Sequence, residues 1–274
     1  MNIVIPMAGH GFRFVEQGYA DPKPLIYVNK KRIIEYVLDM FDKSNDNFIF
    51  VCNKTHYETT DIKSILNDYV KKSKIIAIDN HKRGPVWTVS KVYNLIDDEE
   101  PVLFAHCDAP CLWNYKDFKN YLNENNPDGC LINHIGFHPH SLLPNLMAHC
   151  RVHGDRVLEV KEKECFTDDN MSEPASSGSY YFRNGKIAKK YFELAIQENV
   201  SYNGEHYITL VYNLLIKDGL DIRSYICDKM ISLGTPIEVE NYIAWNKIID
   251  SGMCKNESDI LNSYNFWKGF REGK

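Results

Sequence analysis

Short, continuous apolar runs recur through the first hundred residues, at Ile3-Val4-Ile5, Phe48-Ile49-Phe50-Val51, Ile75-Ile76-Ala77-Ile78 and Val102-Leu103-Phe104-Ala105. Runs of this length without polar alternation are the pattern of strands covered on both faces. Between them the apolar positions fall at helical spacing. Ile33, Ile34, Val37, Leu38 and Phe41 form one stripe, Ile62, Ile65, Leu66 and Val70 another, each preceded by polar or turn-forming residues. The alternation predicts an α/β fold with a mainly parallel, Rossmann-like central sheet flanked by helices. Right-handed crossovers would place the loops after these strands along one sheet edge, where ligands gather. After residue 128 the pattern turns to strand pairs: Cys130-Leu131-Ile132, then Arg151-Val152 and Arg156-Val157-Leu158-Glu159-Val160 joined at Gly154-Asp155, which reads as a hairpin turn. Helices are expected over 85–96, 185–198 and 205–217, and again over 236–250 and 257–269, where Trp245 and Trp267 read as packing residues.

The loop after the first run is Met7-Ala8-Gly9-His10-Gly11-Phe12-Arg13, and Asp21-Pro22-Lys23-Pro24-Leu25 follows closely. Glycine lets the backbone approach phosphate oxygens and present N–H groups to them, since no Cβ intervenes. Arg13 and Lys23 add two cations that can neutralise charge building up in phosphoryl chemistry. Gly9 and Gly11 alone also describe a tight strand-to-helix turn, so both cations are needed to point to a triphosphate.

With Gly9, Gly11, Arg13, Pro22, Lys23 and Leu25 the chain resembles the sugar-1-phosphate nucleotidyltransferase family, whose signature is G-x-G-x-R followed by P-K-x-L. Phe12 stands where that signature usually has threonine, and no G-K-[ST] follows as in a Walker loop. The resemblance, which runs from residue 1 to about 245, implies condensation of a nucleoside triphosphate with a phosphorylated metabolite and release of pyrophosphate. It implies nucleotide contacts at Met7, Ala8, Gly9, Gly11, Gly84 and Thr88, with Arg83 where glutamine is common. Arg13, Lys23 and Lys163 take the catalytic roles, the last on the acceptor phosphate, and Asp108 holds Mg2+. Glu162, Ser177, Gly178 and Glu205 contact the acceptor on a smaller antiparallel β extension. The general look is that of bacterial capsule and surface-polysaccharide enzymes, including cytidylyltransferases for small phosphorylated compounds, and CTP is the expected donor.

Several of these residues also admit plainer readings. An aspartate after a strand can be a turn or cap, Lys161-Glu162-Lys163-Glu164 a solvated strand end, and Glu205 the acidic first turn of a helix. The second metal aspartate of the pattern would lie two residues before Gly234-Thr235-Pro236, but Ser232 is there. Asp228 is the nearby acid. The histidines of Gly136-Phe137-His138-Pro139-His140 could face an anionic acceptor or pack within a loop.

Composition narrows the field. A length of 274 residues with 44% hydrophobic content suits one large α/β domain, expected as a nucleotide-binding half over 1–128, an acceptor-binding half over 129–235 and C-terminal helices over 236–274. The 32 basic and 37 acidic residues are interspersed, which gives no footprint for nucleic acid or an anionic membrane. No secretory signal or membrane span is expected, so the expected compartment is the cytoplasm. Homo-oligomers are compatible with the chain. The scattered cysteines, including Cys52, Cys130, Cys165 and Cys254, read as reduced. Cys107 and Cys111 beside Asp108 lack further ligands for zinc. Competing functions are a nucleotide-sugar glycosyltransferase, which usually carries Asp-x-Asp where His106-Cys107-Asp108 stands, a non-catalytic nucleotide-binding relative, and a dehydrogenase, for which Phe14 breaks G-x-G-x-x-G.

Overall fold

The computed structural model describes residues 1–136, 138, 147–252, 256, 258 and 262. The strand β1 (Asn2–Met7) leads through the glycine loop to a one-turn helix α1 (Phe12–Glu16), and a ribbon of β2 (Tyr27–Val28) and β3 (Lys31–Arg32) leads to α2 (Ile33–Leu38). There follow β4 (Asn47–Asn53), α3 (Lys54–Thr59), α4 (Ile62–Tyr69), β5 (Ser73–Ile78), α5 (Gly84–Ser90), β6 (Val102–Ala105), β7 (Cys111–Leu112), α6 (Tyr115–Asn125) and β8 (Gly129–His134). The second half runs β9 (His149–His153), β10 (Arg156–Lys161), β11 (Ala175–Phe182), α7 (Gly185–Gln197), α8 (Ile208–Lys217), β12 (Ile222–Ile226), β13 (Lys229–Met230) and α9 (Pro236–Asp250).

One sheet of order β5-β4-β1-β6-β11-β8-β12-β10-β9 carries both halves. The four strands anticipated from the apolar runs are parallel, with Ile3 beside Phe48 and Phe48 beside Ser73. The sheet as a whole is mixed, and the expectation of a mainly parallel sheet is corrected here. β11 runs antiparallel to both β6 and β8, β12 is parallel to β8, and β10 is antiparallel to β12 and β9. Parallel pairing requires a crossover long enough to carry the chain back. The chain reaches β11 through the β9–β10 hairpin, whose turn is Gly154-Asp155 as expected, and no helix lies between β10 and β11.

Side chains alternate across the pleat, so β1 sends Val4 to one core and Ile3 and Ile5 to the other. On the first face Val86, Val89, Phe192, Val211 and Tyr212 from α5, α7 and α8 cover the sheet. Phe104, Phe182 and Phe192 meet there with centroids 4.9 to 5.6 Å apart, each such pair adding about 1 kcal/mol beyond its area. On the second face α2, α4 and α6 supply Val37, Leu38, Leu66 and Phe118. A third cluster joins Phe14, Ile26, Val28 and Ile33 to Leu233 and Val239, which docks the start of α9 onto the segment carrying the glycine loop and Lys23.

Local differences from the sequence reading have simple causes. The helix expected over 85–96 ends at Ser90, and a 3-10 turn over Tyr93–Leu95 completes the segment. The helix expected from 205 starts at Ile208, because Glu205 is paired with Tyr202 in an isolated bridge. β12 and both two-stranded ribbons lack a strong apolar run. Of the helix proposed over 257–269 only Ser258 and Asn262 are described, both helical, while its other residues, Trp267 among them, and Cys254, Phe137, Pro139 and His140 lie outside the described residues. Among the described residues no helix is long and apolar enough to cross a membrane, and the seven described cysteines are free thiols.

Candidate active site

A cleft of about 600 Å³ opens along the carboxyl ends of β1 and β6. β1 is held by parallel neighbours on both sides, so it delivers the loop at residues 8–13 from a rigid base. The Asn53 side chain donates to the Ala8 carbonyl at 3.3 Å and also caps α3, tying the loop to the next strand. Ala8, Gly9 and Arg13 line the cleft, while Met7 is buried beneath it. Gly11 has φ +69° and caps α1, with the position of an added Cβ only 3.5 Å from the Lys23 Cβ. Phe12, where threonine was expected, stacks on His10 with centroids 4.4 Å apart, and the Lys82 ammonium lies 5.0 Å from its ring.

Across the mouth, Gly84 and Thr88 also line the cleft. Gly84 has φ +81°, and a Cβ there would sit 2.7 Å from both the nitrogen and the oxygen of His206. No other residue fits this crossing, where Val86 N–H donates to the His206 carbonyl at 3.2 Å and His206 N–H to the Arg83 carbonyl at 3.0 Å. His81 Nδ1 accepts from the Arg83 N–H at 3.1 Å, so its proton lies on Nε2, which donates to the Thr88 hydroxyl at 3.0 Å. Burial, with Lys91 and Arg83 adding, lowers the His81 pKa and keeps that ring neutral.

At the floor the Lys23 ammonium donates to Asp108 Oδ2 at 2.5 Å, with 24% and 17% of the two side chains exposed. Burial works against both charges. The pair overrides it, so the lysine pKa is raised and the aspartate pKa lowered. β6 ends at Ala105, and Asp108 stands in the turn beyond it. His106 lines the cleft beside it, its pKa lowered mainly by burial. Gly234 packs here: a Cβ on it would lie 2.9 Å from Asp108 Oδ2 and 3.3 Å from Glu238 Oε2. Ser232, where the pattern has aspartate, donates from its hydroxyl to the Glu238 carboxylate. Asp228, the acid nearest in sequence, is exposed and its N–H donates to the Leu112 carbonyl; it is not among the residues lining the cleft.

The far wall comes from β10, β11 and the loop before α8. Glu162 is 7% exposed and accepts from the Thr209 hydroxyl at 2.5 Å; burial pushes its carboxyl up to about 7 despite Thr209 and Lys163. Lys163 has φ +57°, a backbone conformation costing a non-glycine residue about 1 kcal/mol. Its ammonium donates to the Tyr207 hydroxyl at 2.8 Å, which donates to Glu205 Oε2 at 3.1 Å. Gly178, with φ +78°, lines the cleft where a Cβ would meet Ala109 at 2.8 Å. Ser177 does not reach it. Its hydroxyl is fully buried and donates to the Ile132 carbonyl at 2.7 Å.

Of the residues singled out in the sequence, the cleft thus gathers Ala8, Gly9, Arg13, Lys23, Gly84, Thr88, Asp108, Glu162, Lys163, Gly178 and Glu205, and leaves Met7, Gly11 and Ser177 outside its lining. Sequence reasoning missed His81, His106, Tyr207 and Glu238. None carried a signal of its own, since Glu238 reads in the sequence only as an acid in the first turn of a helix opened by Pro236. Glu205 is not in a helix, which removes its reading as a first-turn acid. His138 is occupied by the Met230 carbonyl at 2.7 Å from Nε2. Among the described residues no three His, Cys, Asp or Glu side chains group to hold a metal by themselves. The oxygen donors beside Gly234 fit Mg2+, which takes one or two carboxylates and completes its shell with phosphate and water.

No protein-family model matches the chain, and no curated protein sequence matches it. Solved structures do. A nucleoside-diphosphate-sugar pyrophosphorylase from Vibrio cholerae superposes with a TM-score of 0.71 at 22% identity, covering 88% of this chain and 99% of that one. A UDP-glucose pyrophosphorylase complexed with UDP-glucose gives 0.68 at 17% identity, with 90% and 98% covered. The inositol-1-phosphate CTP transferase from T. maritima gives 0.67 at 13% identity, with 88% and 94% covered. The chain therefore has the fold of the sugar-nucleotide pyrophosphorylases and related nucleotidyltransferases.

Proposed function

We propose that this protein is a nucleotidyltransferase that condenses a nucleoside triphosphate with a phosphorylated sugar or similar small metabolite and releases pyrophosphate. The observation that carries the reading is one cleft with cations at two separate stations: Arg13 and Lys23 beside the glycine loop, Lys163 on the opposite wall. A fold-level likeness to enzymes named for this chemistry adds to it. Residues 1–128 would serve the nucleotide and 129–235 the acceptor. CTP is the expected donor, and the product a nucleotide-activated precursor for capsule or surface polysaccharide.

In this mechanism backbone N–H groups of Ala8 and Gly9 hold phosphate oxygens, while Arg13 and Lys23 neutralise the β- and γ-phosphates. Lys163, fixed by Tyr207, holds the acceptor phosphate against the α-phosphorus and offsets repulsion between two anions. An acceptor phosphate oxygen forms the new bond to the α-phosphorus as the bond to the bridging α–β oxygen breaks, and pyrophosphate leaves with that electron pair. Phosphate monoesters are ionised near neutral pH, so positioning and charge neutralisation suffice without a side-chain nucleophile. Mg2+, when bound at Asp108, would supply further neutralisation of the triphosphate.

A pyrophosphate-release screen crossing four nucleoside triphosphates with sugar phosphates, inositol phosphate, phosphocholine and polyol phosphates tests this. One acceptor-dependent pair is expected. Nucleotide sugars consumed with no triphosphate turned over would favour a glycosyltransferase and overturn the reading.

A further inference from the structure

We propose that Glu238 supplies the second carboxylate of the divalent-cation site, in place of the acid that Ser232 lacks. The inference rests on the nucleotidyltransferase reading above. Gly234 is the pivot. The point where its Cβ would stand is flanked by Asp108 Oδ2 at 2.9 Å and Glu238 Oε2 at 3.3 Å, so the missing side chain is what lets two carboxylates from distant parts of the chain face one small space.

The surrounding contacts fix that arrangement. Leu233 N–H donates to the Asp108 carbonyl at 2.9 Å, fastening the Gly234 strand of chain to the turn after β6. Glu238 is 6% exposed, in the first turn of α9, where its N–H donates to the Thr235 carbonyl at 3.1 Å. Leu233 and Val239 anchor both sides of this segment in the cluster with Phe14 and Ile26. Ser232 holds Glu238 Oε1 by a hydrogen bond, and Oε2 lies beside the same Gly234 Cβ position as Asp108 Oδ2. Serine at the family's acidic position thus orients a carboxylate reaching in from six residues further on.

Charge makes the space a cation site. In the chain alone Lys23 bonds to Asp108 and is within electrostatic reach of Glu238, so one ammonium faces two carboxylates. A triphosphate drawing the Lys23 ammonium onto its own oxygens takes that positive charge away from Asp108 and out of reach of Glu238. Asp108 and Glu238 would hold a hard divalent cation there, and it would supply the positive charge that the space has lost.

The test is Mn2+ binding by electron paramagnetic resonance, titrated into the full chain with each of four nucleoside triphosphates, alongside triphosphate binding in EDTA. Glu238→Gln is expected to weaken Mn2+ binding about tenfold or more while metal-free triphosphate affinity stays near wild type. Adding Ser232→Asp to Glu238→Gln is expected to recover most of the lost Mn2+ affinity. Wild-type Mn2+ affinity in Glu238→Gln overturns the inference. So does loss of metal-dependent and metal-free binding together without rescue, since it assigns Glu238 a packing role. A wild-type chain that binds no triphosphate at all overturns the nucleotidyltransferase reading instead.

Discussion

Lys23→Met separates the structural and chemical work of one ammonium. In the folded chain it leaves Asp108 without its 2.5 Å partner in a site where 17% of the aspartate side chain is exposed. Removing one member of a fully buried pair costs about 3–5 kcal/mol, and solvent access at this depth reduces the expectation to roughly 1–3 kcal/mol. For a chain of this size that lowers the unfolding midpoint by roughly 2–8 °C. The pH dependence carries a sign. With Lys23 present the folded Asp108 pKa is lowered, so its contribution is complete above the unfolded value and fades as pH falls through the folded one. Without Lys23 burial dominates and the folded pKa rises, so the penalty is absent below about pH 4 and grows toward neutrality. Thermal scans by circular dichroism should therefore show a gap from wild type that is already open near pH 4, is widest near pH 7, and narrows only as pH falls through the lowered folded pKa of Asp108. Lys23→Met with Asp108→Asn should close most of it. Turnover at pH 7 should fall on the order of 100-fold, since the ammonium acts on charge that develops during transfer. A variant with the wild-type midpoint at pH 7 and turnover within about threefold would refute this reasoning.

Glu162→Gln removes a carboxyl whose pKa burial raises to about 7, against the pull of Thr209 and Lys163. A raised carboxyl pKa means stability fully present below the unfolded value near 4.5 and lost as pH climbs through 7, so wild type should lose roughly 3 kcal/mol relative to the variant between pH 4.5 and pH 8, read by urea denaturation. Gly84→Ala places a Cβ 2.7 Å from two backbone atoms of His206 at φ +81° and should cost about 2–4 kcal/mol in the same assay. Gly9→Ala, with nothing within 4 Å of the new Cβ, should leave stability unchanged and weaken triphosphate binding, measured by calorimetry. Equal stability losses in the two glycine variants would count against the distinction.

The four parallel strands were legible because each is a continuous apolar run, covered on both faces in β1, β4 and β6 and half-buried in the edge strand β5, and α2, α4, α7 and α9 because their apolar stripes or flanking breakers are strong. Ile222–Ile226 was not, since Arg223 and Ser224 interrupt it and its place beside β8 depends on a distant partner. Strand direction in β11 was equally hidden, because it follows from the hairpin route of the chain rather than from Ala175–Phe182 itself. In the cleft, Arg13, Lys23 and Asp108 could be picked out because loop composition and spacing are local. Glu238 and Tyr207 could not. The first becomes informative only when Gly234 brings it to Asp108, the second when its hydroxyl meets Lys163. Ser177 shows the converse, a residue in a suggestive segment whose hydroxyl is turned into the sheet at Ile132.

The central claim is that the acceptor phosphate, held at Lys163, attacks the α-phosphorus of a triphosphate held at Arg13 and Lys23. With the donor and acceptor found by the screen, the acceptor phosphate can be enriched in oxygen-18 and the products read by phosphorus NMR and mass spectrometry. All the label should remain in the nucleotide-linked product, part of it in the new bridge, and none in pyrophosphate. Label in the released phosphates, or pyrophosphate formed at the same rate with no acceptor present, would contradict the account.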